Sequence, residues 1–190
     1  MALQDGTYRI GPDSGRLVVH TGRTGLGAKA GHDLTIEAGA WTGSVVVNTK
    51  DPALSSVTLE IEAGSLRVVE GTGGVKPLTD SDRADIEATM REKILSTDRH
   101  PAITFRSTVV AGSPDSFTVD GELTILGTGR PVQARGNVSA EGTVRGRAAV
   151  VQSRWGIKPY SAFFGALKLA DEVVVDIEVT LAPAGTGPDA

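Results

Sequence analysis

Three histidines, His20, His32 and His100, are the side chains of this sequence best suited to hold a metal or to move a proton near neutral pH. Their neighbours point to quieter roles. His100 precedes Pro101 at the start of a strand-like run, where an imidazole packs or hydrogen-bonds locally. His20 closes the apolar run Leu17-Val18-Val19-His20 and reads as a satisfied wall residue rather than a ligand. His32, in Gly31-His32-Asp33-Leu34, has two readings: a polar contact to a ligand at the mouth of a cavity, or a turn-stabilising hydrogen bond to Asp33 or the backbone. On a strand the adjacent His32 and Asp33 point to opposite faces, which weakens them as an acid and base pair.

Other chemistry fails at the level of motifs. With no Cys in the chain, thiolate zinc sites, iron–sulfur clusters and disulfides are excluded. Nucleophile elbows, H-E-x-x-H, S-x-x-K and phosphate loops are missing. The run Gly25-x-Gly27-x-x-Ala30 formally fits a dinucleotide fingerprint, but a strand-like HisAspLeuThrIleGlu follows where a helix must receive the pyrophosphate. Asp80, Asp82 and Asp85 lack the glycine and terminal glutamate of a calcium loop and read as helix-start acids. No catalytic residue, metal site or cofactor is assigned.

A cluster of another kind stands out. Of eight aromatic residues, four (Trp155, Tyr160, Phe163 and Phe164) fall in the run WGIKPYSAFF. Gly156 and Pro159 within it and Gly165 just after it suggest a loop. Two roles are open to it: folding its rings back onto the core, or forming an apolar lid at a ligand entrance.

The elements that must position these groups are mostly strands. Alternation puts Val57, Leu59, Ile61 and Ala63 on one face, then Phe117, Val119, Gly121, Leu123 and Ile125, then Val173, Val175, Ile177, Val179 and Leu181. Weaker strands are expected at 8–10, 16–21, 33–37, 41–49, 102–111, 131–140, 143–151 and 165–169, divided by turn signals such as GlyProAspSer at 11–14. One segment, Asp80 to Leu95, has helical character, with early acids, Lys93 near its end and a stripe of Ile86, Met90 and Ile94. This predicts a mostly β, antiparallel sandwich or barrel covered by one short helix.

Composition agrees with a single soluble domain over 1–182, followed by a Gly/Pro-rich tail at 183–190. A net charge of −4 gives no bulk attraction to nucleic acid, so none is expected as a partner. No apolar run approaches the ~20 residues of a membrane span. The opening residues show no basic start and no signal-like apolar stretch, so the expected compartment is the cytoplasm.

Several stretches taken together resemble a known family. Arg99-His100-Pro101-Ala102-Ile103-Thr104-Phe105-Arg106-Ser107, Val119-Asp120-Gly121-Glu122-Leu123-Thr124-Ile125-Leu126-Gly127 and Arg130-Pro131-Val132 are similar to successive signature strands of the YceI-like family. So are Ser153-Arg154-Trp155-Gly156-Ile157, Asp171-Glu172-Val173, the opening Tyr8-Arg9-Ile10-Gly11-Pro12-Asp13-Ser14 and the His32 segment. The likeness runs from about residue 7 to 182. It departs at Trp155, where the family's usual residue is Phe, in the helix segment, and in the export signal that many members carry.

The resemblance implies an extended lipocalin-like antiparallel β-barrel of about eight strands with one short helix. It implies non-catalytic binding, storage or transport of a long apolar ligand, a polyisoprenoid or fatty-acid-like amphiphile. On that view Ile103, Phe105, Leu123, Ile125, Val175 and Ile177 line the interior, while Trp155, Phe163 and Phe164 form the mouth. His32, with His20 or Arg16, stands near the polar head. The resemblance also admits a homodimer. The rival readings are an enzyme with a small lumen site around His32, or a filled barrel serving as a stress-response scaffold.

Overall fold

The computed structural model describes residues 3–162 and 167–181. Phe163, Phe164 and the expected tail at 183–190 lie outside the described residues. The strands are β1 (Gly6–Ile10), β2 (Gly15–His20), β3 (Arg23–Thr24), β4 (His32–Ala38), β5 (Trp41–Val47), β6 (Ser56–Glu62) and β7 (Leu66–Gly73). After helix α1 (Asp80–Thr89) come β8 (Ala102–Ser113), β9 (Ser116–Ile125), β10 (Thr128–Val138), β11 (Thr143–Val151), β12 (Ser161–Ala162), β13 (Leu167–Leu169) and β14 (Glu172–Thr180).

Eleven of these strands form one antiparallel sheet in the order β1-β5-β6-β8-β9-β10-β11-β14-β2-β4-β7. The mostly β, antiparallel class with one helix is therefore as expected, but the strand count exceeds the eight of the barrel reading. The sheet curls into a half-barrel whose end strands, β1 and β7, do not pair with each other. Register shifts at Thr35/Ile36 and at Ser107/Val109 add local twist. A second sheet, β12-β13-β3, sits at one rim.

Alternation explains the core. Ile10, Leu17, Ala38, Trp41, Ile61 and Val179 form one buried cluster; Ile125, Val150, Trp155, Ile157 and Val173 belong to another. The third joins Leu34, Ile36 and Val68 to Met90 beside α1. Gly121, on the same alternating face as Leu123 and Ile125, lies beneath Phe105: a Cβ there would stand 2.4 Å from that ring. Gly136 accommodates Phe117 in the same way.

Helix α1 begins with a capping box in which Thr79 Oγ1 accepts from Asp82 N–H at 3.2 Å and the Asp82 carboxylate accepts from Thr79 N–H at 2.9 Å. The chain then widens into a π-helical turn at Met90–Ile94, with Leu95 N–H donating to Met90 O at 2.8 Å. This extends the helical segment to the predicted end and sets Met90 and Ile94 against the concave face.

The helix also treats an exposed edge. Val68 N–H on β7 donates to Glu87 Oε1 at 2.9 Å, and Arg83 Nη1 donates to Val68 O at 3.1 Å. Two backbone groups that would otherwise template another strand are thereby occupied. Glu87→Ala is expected to destabilise the protein by about 1 kcal/mol and to raise concentration-dependent association in light scattering. Glu87→Gln, which keeps the acceptor, should stay monodisperse relative to the parent.

Candidate functional site

The concave face encloses a cavity of about 670 Å³, within the range of small-molecule sites. Its walls are the inward residues of nearly every strand of the main sheet, with Ile86, Met90 and Ile94 from the helical segment. Ile103, Phe105, Leu123, Ile125, Val175 and Ile177 all line it, so the structure gathers the six expected wall residues into one space. Five of them are only half-buried, and Ile125 is buried. Side chains stop short of filling the interior.

The registers define two opposite rims. Gly73, His32, Arg23, Glu172 and Val151 lie at strand ends on one side, while Val47, Ser113, Val138, Thr143 and Thr180 lie on the other. Polar groups reach the cavity mainly at these ends: His32, Thr21 and Asp85 at the first, Asn48, Thr49 and Ser55 at the second.

His32 is the one expected polar residue that borders the cavity. Its Nε2 lies 2.7 Å from Lys76 O, which ties β4 to the segment leading into α1. Of the two partners the turn-stabilising reading allowed, Asp33 or the backbone, the bond is to the backbone, because Asp33 points away and pairs with Arg23 Nε at 3.3 Å. A Cβ on Gly74, whose φ is +73°, would stand 2.4 Å from the imidazole, so this close approach needs glycine.

His20 and Arg16, expected near a ligand head, stand on the outer face instead. The reason is alternation: Leu17 and Val19 take the inward positions of β2 and line the cavity, which turns their neighbours outward. There Arg16 pairs with Glu37 at 3.5 Å and His20 Nε2 approaches Asp176 at 3.3 Å. Arg147 holds Asp176 through two bonds of 2.7 and 2.8 Å, and Arg145 holds Glu178 at 2.7 Å.

The Arg147 hydrogen bonds keep the Asp176 carboxyl below its usual range, with the charges of Arg147 and His20 adding to the effect. A depressed carboxylate stabilises the fold above its unfolded pKa and loses that contribution as pH falls through the folded value. Asp176→Asn should therefore flatten part of the acid limb of a stability profile below about pH 4. The change will be a fraction of a kcal/mol because Arg147, its main partner, is largely solvated.

Trp155 departs from the mouth reading as well. The ring is buried at 4% exposure among Ile125, Val150 and Val173, and its Nε1 donates to Leu123 O at 3.0 Å. An acceptor on β9 draws the indole into the wall. Tyr160, five residues on, remains 49% exposed and borders the cavity. Of the two described rings of the aromatic run, Trp155 folds back onto the core and Tyr160 stays at the surface beside the cavity. Sequence reading missed the contribution of Asp85 and Ala30 to the rim. Among the described residues, no group of three or more His, Asp or Glu side chains is placed to hold a metal.

Solved structures share this architecture. Burkholderia cenocepacia BcnA is 17% identical, with a TM-score of 0.66 over 87% of this chain and 94% of its own. A Campylobacter jejuni YceI protein is 12% identical, with a TM-score of 0.56 over 76% of this chain and 81% of its own. At these identities the likeness concerns the fold. No curated protein matches the sequence. The family model for the YceI-like domain matches residues 8–181, from the first strand through β14, and on that match the chain belongs to the YceI-like family.

Proposed function

We propose that the protein binds a long apolar ligand, a polyisoprenoid or fatty-acid-like amphiphile, in the cavity and stores or carries it without chemical change. The observation that carries the reading is the continuous apolar interior, lined by half-buried side chains that leave about 670 Å³ between them. Membership of a family known for a polyisoprenoid-binding fold supports the class of ligand. Each methylene taken from water contributes ~0.8 kcal/mol, so a slender tail needs few polar contacts. His32 at the rim is suited to a polar head, since its imidazole is already held in place by Lys76 O.

Extraction of the untreated protein into organic solvent, followed by mass spectrometry, tests for bound lipid. A titration with alcohols of increasing chain length tests the mechanism. Affinity should rise about fourfold per added methylene until the cavity is filled. Affinity independent of chain length would overturn the carrier reading.

A further inference from the structure

The two rims of the half-barrel differ in lysine content and in exposed apolar surface. The chain has six lysines, Lys29, Lys50, Lys76, Lys93, Lys158 and Lys168. Four of them, Lys29, Lys76, Lys158 and Lys168, are exposed on the segments that frame the His32 rim. Three exposed apolar side chains stand among them: Leu26 at 103%, Val75 at 79% and Tyr160 at 49%.

These segments are joined to one another. Lys168 on β13 pairs with Thr24 of β3 on one side and with Ser161 of β12 on the other, and Leu169 N–H donates to Tyr160 O at 2.9 Å. Arg23 bonds to Gly31 O in the next loop. His32 fastens the Val75–Lys76 segment. The opposite rim has Lys50 with Asp5, Asp51, Asp115 and Glu141 around its turns, and Leu54 is its large exposed apolar residue at 64%.

We propose that the His32 rim docks on an anionic lipid bilayer, with Leu26, Val75 and Tyr160 entering the headgroup layer and the lysines facing lipid phosphates. Apolar tips within a ring of lysines form the pattern of an interfacial anchor, in which buried apolar area and attraction to anionic headgroups add. Of the acids of this rim, Asp33 pairs with Arg23, whereas Asp82 in the α1 capping box and Asp171, which accepts from Ser153 N–H at 2.8 Å, keep their charge beside the lysine ring. Glu172, Asp80 and Asp85 remain close to it and limit the attraction. Tyr160 belongs both to the patch and to the cavity lining, so the docked face leads into the apolar interior. The purpose of docking, exchange of cargo with the bilayer, rests on the carrier reading; the docking itself does not.

Flotation with vesicles of phosphatidylcholine, with or without phosphatidylglycerol, tests it on the full chain. The protein should float with the anionic vesicles. Lys29→Ala with Lys76→Ala should weaken that binding roughly 25-fold, at about fivefold per lysine. Leu26→Ser with Val75→Ser should also release it, while Lys50→Ala with Leu54→Ser on the opposite rim should float like the parent. Failure to float, equal flotation with neutral vesicles, or equal loss in the opposite-rim variant would overturn the proposal. So would a dimer in vesicle-free buffer that Leu26→Ser with Val75→Ser dissociates, since the face would then belong to a second copy. Binding of a long-chain alcohol, measured without vesicles on the same variants, separates the two readings: cargo binding without flotation removes docking alone, and flotation without cargo binding removes the carrier reading alone.

Discussion

Replacing Ala134 and Ala148 together with phenylalanine is expected to weaken binding of a long-chain prenol about 100-fold while the fold stays intact. The two alanines face each other across β10 and β11, and both line the cavity. Rings built there extend into the interior rather than into packed wall, so the overpacking cost that such a change carries in a filled core is largely avoided. Excluding three or four methylenes of the tail removes ~3 kcal/mol of transfer free energy. Calorimetric titration with alcohols of several lengths gives the sharper readout: the plateau should arrive at a shorter chain. Undiminished affinity with an unchanged plateau would place the ligand outside the cavity and sink the carrier reading.

Trp155→Ala is expected to cost ~3–5 kcal/mol of stability. The indole is 4% exposed, packs in the cluster containing Ile125, Val150 and Val173, and satisfies Leu123 O. Its removal leaves a void in the wall and a carbonyl without that donor. Trp155→Phe should recover most of the packing but not the hydrogen bond. In a domain of this size the alanine variant should melt roughly 10 °C lower. Denaturant unfolding followed beside a ligand titration distinguishes a wall residue from a mouth residue. A wall residue changes the midpoint first, whereas loss of affinity at unchanged stability would restore Trp155 to the entrance.

The sequence showed the strands at 57–63, 117–125 and 173–181 because strict alternation survives in them; they correspond to β6, β9 and β14 within a residue or two. It missed β7, where Val68 and Val69 are adjacent, two glycines follow, and the register shifts opposite Thr35/Ile36. A bulge moves side chains out of the period that a linear reading seeks. The inward residues of β8, β9 and β14 were legible for the same reason as their strands. Arg16 and His20 were misplaced because Val18, buried on the outer face, makes β2 look apolar on both sides. The direction of Trp155 depends on Leu123 O, 32 residues distant in sequence, and no local pattern encodes that partner.

The strand order that ends on β1 and β7 without joining them governs which dimension of a cargo the protein measures. A sealed barrel must break interstrand hydrogen bonds to widen, a cost that comes in steps. Here no ladder joins the two edges, and the β1 edge is held to the rest of the wall by apolar packing of Ile10 in the cluster with Leu17, Ala38 and Val179, which parts or closes by area at ~25 cal/mol per Å². Girth is therefore a compliant dimension, whereas length is fixed by strands whose ladders do not stretch. Discrimination among cargoes should follow how far a chain reaches along the strands, with branching and cross-section weighing much less.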